Sequence, residues 1–360
     1  MIAHPAWIEI DLAQFKKNIA AIRKHIGKRL FCLPVKANAY GHGLIPMSLA
    51  ACEAGVDYLA VAHLQEGALL REAGILLPIL VLGAIHEDQV EDLLRYNLEF
   101  SISSKFKADL VTKKCQRKCR VHLEVDTGMQ RTGVRVESAA PLYEYMRGLG
   151  CLDIVGIYSH LATADIPNHP FTKTQVKRFV DLIGSPPFNK LSLIRHLANS
   201  AGVVYYPEAY LDMVRPSLLT FGYSEDFPDV APCFSLKAKI SYFKVVGQGE
   251  GIGYGHSYVT KKSTRIVTIP VGYGDGYLRE LSNKGSVLIR GKRYPIVGTI
   301  CMDQFMVDIG DDEAYVGEEV VLLGSQGKEF LSVLEIAKRL GTIPYEILSR
   351  LNHRLPRIYR

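Results

Sequence analysis

The chain has 360 residues, of which 48% are hydrophobic and 22% charged. That is enough chain for about two domains with cores of their own, in a composition that excludes disordered, fibrous and membrane-spanning classes. A net charge of +6, from 43 basic and 37 acidic residues, is too mild and too evenly spread for a nucleic-acid-binding protein, and the densest basic run, residues 113–120, has no interleaved aromatic and reads as a solvated face.

The first residues, 1–11, lack a basic-then-apolar leader, so a cytoplasmic location with no membrane partner is expected. Asp11 reads as the cap of a first helix carrying Leu12, Phe15, Ile19, Ile22 and Ile26 at helical spacing, with Gly27 as its stop. Strands are then expected at 31–35, 58–61, 79–82, 98–102, 121–125, 154–159, 193–197 and 211–214. Helical patterns lie between them, as at 64–73, 105–114, 141–148 and 172–183. Eight short apolar strands separated by helices predict a (β/α)8 barrel of the TIM type, with a doubly wound open sheet as the rival. After about Asp229 the texture changes to strand-like runs at 234–245, 264–271, 286–289, 294–297, 305–309 and 318–323, and one short helix at 331–340. The expected division is a barrel domain over 1–229 and a mostly β domain over 230–360. Seven scattered cysteines, an odd number, argue for reduced thiols rather than a disulfide framework. Cys115 and Cys119 have no second Cys or His pair at zinc-site spacing, so no metal is expected.

In a barrel of this kind the loops at the carboxyl ends of the strands build the site. Unusual polar residues fall at those ends. Lys36 closes the first strand, inside VKANAYGHG (35–43). A strand that stops at a lysine and opens into small residues puts an amine at the rim, where it can form a Schiff base or act as a base once its pKa is lowered. The glycines that follow would let the backbone approach a bound group closely. Arg131 follows strand five, His160 ends strand six, Asn199 and Ser200 follow strand seven, and Arg215 follows strand eight.

VKANAYGHG resembles the cofactor-lysine motif of the alanine racemases. DTGMQRTG (126–133), SHLATAD (159–165), NSA (199–201), MVRP (213–216), GYGDGY (272–277) and CMDQ (301–304) then follow in the order in which that family carries them. The resemblance covers nearly the whole chain and implies a cytosolic homodimer that interconverts L- and D-alanine through a pyridoxal 5'-phosphate (PLP) aldimine, supplying D-alanine for peptidoglycan. It implies that Lys36 holds PLP and serves as one base. Tyr254, in GIGYGH (251–256), matches the second base, on the opposite face, which the partner subunit lends. Arg215 matches the arginine facing the pyridine nitrogen. Being always charged, it would leave that nitrogen unprotonated and restrain side reactions. Tyr40, Ser200, Ser217 and Leu218 match the phosphate grip, with His160 and Asn199 beside them in the cofactor site. Arg131, Met302 and Tyr273 match substrate-side residues, and Asp165, Arg279 and Asp303 supporting positions near the entry corridor.

Three positions depart from the family's pattern. Glu124 stands where many members carry a carbamylated lysine. It keeps the negative charge, and we expect it to hold Arg131, directly or through water. His353 stands where a phosphate-binding tyrosine is common, and Ser217 where glycine is common. A serine or broader-specificity racemase on the same scaffold is the nearest alternative. A non-catalytic PLP-binding protein is the alternative of another class.

Overall fold

The structure is a computed structural model describing residues 4–115 and 117–360. Residues 1–3 of the N-terminal stretch and Gln116 of the basic run lie outside the described residues. Contacts divide the chain into two compact units.

One unit comprises Phe15–Ala39 and Leu44–Ala231. Its strands are Leu30–Pro34, Tyr58–Val61, Ile79–Val81, Glu99–Ile102, Cys119–Asp126, Leu152–Tyr158, Ile194–His196 and Met213–Val214. Each pairs in parallel with the next, and the eighth returns to the first. The sheet is therefore a closed eight-stranded barrel with helices between its strands, as expected, and the open-sheet rival is excluded by the closing pair Met213↔Leu30. The second, third and fourth strands are buried at every position, which is how parallel strands covered on both faces read.

The barrel interior is not uniform. On the side of the first three strands and the last, Cys32, Tyr58, Ala60, Leu80 and Met213 form an apolar cluster. The fourth to seventh strands instead bury Glu99, Ser101, His122, Glu124 and His196. Because side chains alternate along a strand, Glu99 and Ser101 share one face, as do His122 and Glu124.

The other unit comprises residues 4–14, Tyr40–Gly43 and Pro232–Arg360. It differs from the expected 230–360 division because Ala6–Ile10 is a strand, pairing antiparallel with Phe234–Lys239 and parallel with Arg357–Tyr359. The expected strand 234–245 is two strands, Phe234–Lys239 and Tyr242–Val246. Ile240 N–H donates to Glu318 and Ser241 N–H to Thr268, so the chain changes neighbours at that point. The single expected helix is Val333–Leu340, started by Ser332, whose hydroxyl accepts from Leu334 N–H at 3.1 Å, and a second helix follows at Pro344–Arg350. The glycines of the lysine motif are packed closely within this unit. A Cβ on Gly41 would sit 2.2 Å from the Leu348 carbonyl oxygen, and one on Gly43 would sit 1.8 Å from the Tyr359 hydroxyl.

Candidate active site

Lys36 follows the first barrel strand directly. After it the backbone turns left-handed: Ala37, Asn38, Ala39 and Tyr40 have φ of 52°, 57°, 51° and 53°. Non-glycine residues enter this region at about 1–2 kcal/mol each, and runs of them persist only where the surroundings hold them. Here Ala37 N–H donates to Glu66 at 2.7 Å, Leu44 N–H donates to the Asn38 side chain at 2.8 Å, and Ala39 N–H donates to Val35 at 2.8 Å. The other oxygen of Glu66 accepts from Ala62 N–H at 2.8 Å. The strained turn is thus clamped between two helices, and it fixes the exit direction of the lysine.

Burial holds the Lys36 amine below the ordinary lysine range, and the charges of Arg131 and Arg215 push it further down. Half-buried His160 is lowered to about 3 by burial and by Arg215, Arg131 and Lys36 together. Lysine, two arginines and a neutral imidazole therefore converge at the carboxyl ends of strands one, five, six and eight.

Arg215 is buried and heavily constrained. Its guanidinium donates to His196 Nδ1 at 2.7 Å, to the Ser159 carbonyl at 2.8 Å and to the Leu197 carbonyl at 3.3 Å. It also lies 5.3 Å over the ring of Tyr158, and that ring stacks on His196 with centroids 4.8 Å apart. Tyr158 hydrogen-bonds Glu124 and lies 2.7 Å from the Ser101 hydroxyl. Glu124 accepts from the Thr132 hydroxyl at 2.6 Å. Its carboxyl is raised, burial outweighing those hydrogen bonds and the charges of Arg131 and Lys107. Of the two expected ways for Glu124 to hold Arg131, the structure shows no direct bond: Glu124 bonds Thr132 and Tyr158, and Arg131 acts on it through its charge. Asn199 serves as a helix cap, accepting from Gly202 N–H at 2.9 Å. The Ser200 hydroxyl accepts from Ser217 N–H at 2.8 Å and lies 3.1 Å from the Ser217 hydroxyl; Leu218, next along the loop, is buried. Arg131 and Asp165 are exposed.

The remaining expected residues belong to the β unit. Tyr254 lies on a turn, 73% exposed, with its carbonyl accepting from the Thr299 hydroxyl at 3.0 Å. Tyr273 and Met302 are exposed, and Asp303 pairs with Arg354 at 2.7 Å. Arg279 opens a short 3-10 turn, Arg279–Leu281. His353 is exposed in a turn before the last strand, and Tyr40 is buried with its ring 5.5 Å from that of Tyr345. Sequence reasoning missed Glu66, Tyr158, His122 and His196. The available signals were the spacing of Glu66 three residues after His63 at a helix start, and two histidines inside otherwise apolar strands.

A lysine amine depressed below its ordinary range, near Arg131 and Arg215, suits condensation with a phosphorylated aldehyde, and a closed barrel followed in the chain by a mostly β unit is the architecture of the barrel class of PLP-dependent enzymes. The family is equally plain: the model of the alanine racemase N-terminal domain matches residues 10–225 and that of the C-terminal domain matches residues 233–359. A relative from Desulfovibrio desulfuricans, an alanine racemase, is 41% identical over 99% of this chain and 98% of its own. Another, from Desulforamulus reducens, is 42% identical over 99% of both chains. The crystal structure of alanine racemase from Streptomyces lavendulae superposes with a TM-score of 0.94 at 32% identity, covering 100% of this chain and 98% of that one. The chain belongs to the alanine racemase family, whose members are PLP-dependent racemases. No helix among the described residues is long and apolar enough to cross a membrane.

Proposed function

We propose that the chain interconverts L- and D-alanine as a cytoplasmic homodimer, with Lys36 and the partner subunit's Tyr254 as the two bases, and so supplies D-alanine for wall precursors. The observation that carries this reading is the depressed Lys36 amine at the end of the first barrel strand, with Arg131 and Arg215 acting on it. The residues present fit PLP. The excess of cations suits an anionic group, and the hydroxyls of Ser200 and Ser217, 3.1 Å apart, offer donors to phosphate oxygens. Lys36 would hold the group, with Arg215 at its ring nitrogen and Tyr40, Ser217, Leu218 and His353 toward its phosphate. When bound, PLP withdraws electrons from the α-carbon of an amino acid and acidifies its α-proton.

The chain's own residues do the rest. Lys36 Nζ takes or returns the α-proton on one face, and the Tyr254 hydroxyl does so on the other. Bases on opposite faces spare the substrate any reorientation between the two transfers. His160, neutral at working pH, accepts and donates hydrogen bonds without adding charge. Arg131 and the backbone at Met302 bind the substrate carboxylate, and Tyr273, Asp165 and Arg279 narrow the approach. A tyrosine 73% exposed on a turn suits delivery into a second copy of the chain.

The test is an absorbance spectrum of the purified protein followed by D-alanine formation from L-alanine. A band near the visible edge that disappears in Lys36→Ala, together with racemisation, is the expected result. A band with racemisation of serine but not alanine would move the substrate assignment. No band after PLP is added would remove the reading altogether.

A further inference from the structure

Four buried polar side chains cross the barrel interior in one line. Arg215 Nη1 lies 2.7 Å from His196 Nδ1, His196 Nε2 lies 2.9 Å from His122 Nδ1, and His122 Nε2 lies 2.9 Å from Glu99 Oε2. All four residues are buried. Glu99 opens the fourth strand and Arg215 follows the eighth, so the line joins the amino-terminal rim of the barrel to the carboxyl-terminal one.

The direction of every bond follows from the arginine. A guanidinium only donates, so His196 Nδ1 presents a lone pair. A neutral His196 then carries its proton on Nε2 and donates it to His122 Nδ1. His122 in turn carries its proton on Nε2, where it requires an acceptor. Glu99 supplies one. No other pattern of protons satisfies all three contacts with neutral imidazoles, and burial with the nearby charge of Arg215 holds His196 well below the ordinary imidazole range. An unpaired donor here would lie in a dry interior, where a lost hydrogen bond costs most.

We infer that Glu99 and His122 are positioning residues: the acceptor at position 99 fixes the tautomer of His122, and through it that of His196, and so holds the Arg215 guanidinium in place at the opposite rim. The inference rests on the proposed function only in taking Arg215 as part of the working rim. A bland role is the competing account. Glu99 also lies 2.7 Å from Arg120 as an ion pair at the barrel's amino-terminal face, where residues ordinarily serve stability alone.

The deciding experiment is a long-range proton–nitrogen correlation spectrum of the 15N-histidine-labelled protein as purified, alongside Glu99→Leu and Glu99→Gln. In the wild type, His122 and His196 should each be protonated on Nε2 only. Glu99→Leu should lose that single pattern at His196 and lower kcat about tenfold or more with KM within about twofold, as disrupted orienting shells do. Glu99→Gln, which keeps an acceptor, should restore the pattern and most of kcat. A wild-type His196 protonated on Nδ1, or on both nitrogens, overturns the inference without any variant, including where Glu99→Leu fails to fold. Retention of the Nε2 pattern in a folded Glu99→Leu also overturns it. These readouts need no turnover, so failure of the racemase reading would show as absent D-alanine with the tautomers intact.

Discussion

The barrel unit and the β unit carry their candidate residues in opposite ways. In the barrel unit Arg215, His196, His122 and Glu124 are buried and each is hydrogen-bonded to a side chain elsewhere in that unit. In the β unit Tyr254 is 73% exposed, Met302 53% and Tyr273 43%. Charge that must stay in one place is expensive to bury, and it is tolerated because the whole network satisfies it. A side chain that acts on another surface has to remain outside its own core. On the proposed function, the difference assigns the preorganised half of the chemistry to the barrel and the half delivered to a second copy to the β unit.

The sharpest way to break that contrast is to remove one residue from each side. Lys36→Ala should reduce racemisation by about 10⁴-fold or more, because covalent attachment and one proton transfer are lost together. D-alanine formation measures it, and a loss under tenfold would place the reactive amine elsewhere. Tyr254→Phe should cost about 10³-fold, the scale of one general acid–base contribution. Mixing the two inactive chains separates the units. If each site borrows its tyrosine, random exchange leaves about half the dimers with one intact site of two, and about a quarter of wild-type activity returns. No recovery with exchange verified would place Tyr254 and Lys36 in a site made by one chain.

Within the barrel unit, Glu124→Gln tests whether charge or bonding matters. The amide can still accept from Thr132, which donates at 2.6 Å, but it no longer neutralises Arg131. A loss of about 1 kcal/mol, roughly fivefold in kcat/KM, is expected. Unchanged activity would assign Glu124 to hydrogen bonding rather than to charge.

How much of this was legible in the sequence follows the same division. The barrel's eight strands could be placed because parallel strands are continuous apolar runs ended by glycine, asparagine or charged residues. Lys36, Arg131, His160 and Arg215 stood out as polar residues closing such runs. The strand Ala6–Ile10 was missed because its sequence, AWIEI, precedes the barrel by one helix while its partners are more than 200 residues away. The break between Lys239 and Tyr242 left no composition signal, since both halves are β-prone and only their neighbours differ. The left-handed turn after Lys36 was illegible for another reason. Alanine ordinarily avoids it, consecutive left-handed residues are rarer still, and the Glu66 side chain, 29 residues later, helps to hold it.

The smallest effect concerns stability, and pH reveals it at Lys36. Burial and two neighbouring arginines depress Lys36 below its ordinary value of 10.5 in the folded chain. The unfolded chain therefore binds this proton more readily than the folded one, and the site opposes folding wherever the unfolded lysine is protonated. That penalty is absent above pH 10.5, where the amine is neutral in both states, and it grows as pH falls toward the folded-state value. Lys36→Met should consequently raise the melting temperature of the PLP-free protein at neutral pH by a few degrees, on the scale of about 1 kcal/mol per pKa unit before solvent screening. The gain should shrink steadily as pH approaches 10.5. Tyr254→Phe, at an exposed residue of the β unit, should leave the melting temperature nearly unchanged. A constant gain for Lys36→Met across the range would mean that methionine packs better than lysine and that the amine is not held short of its proton.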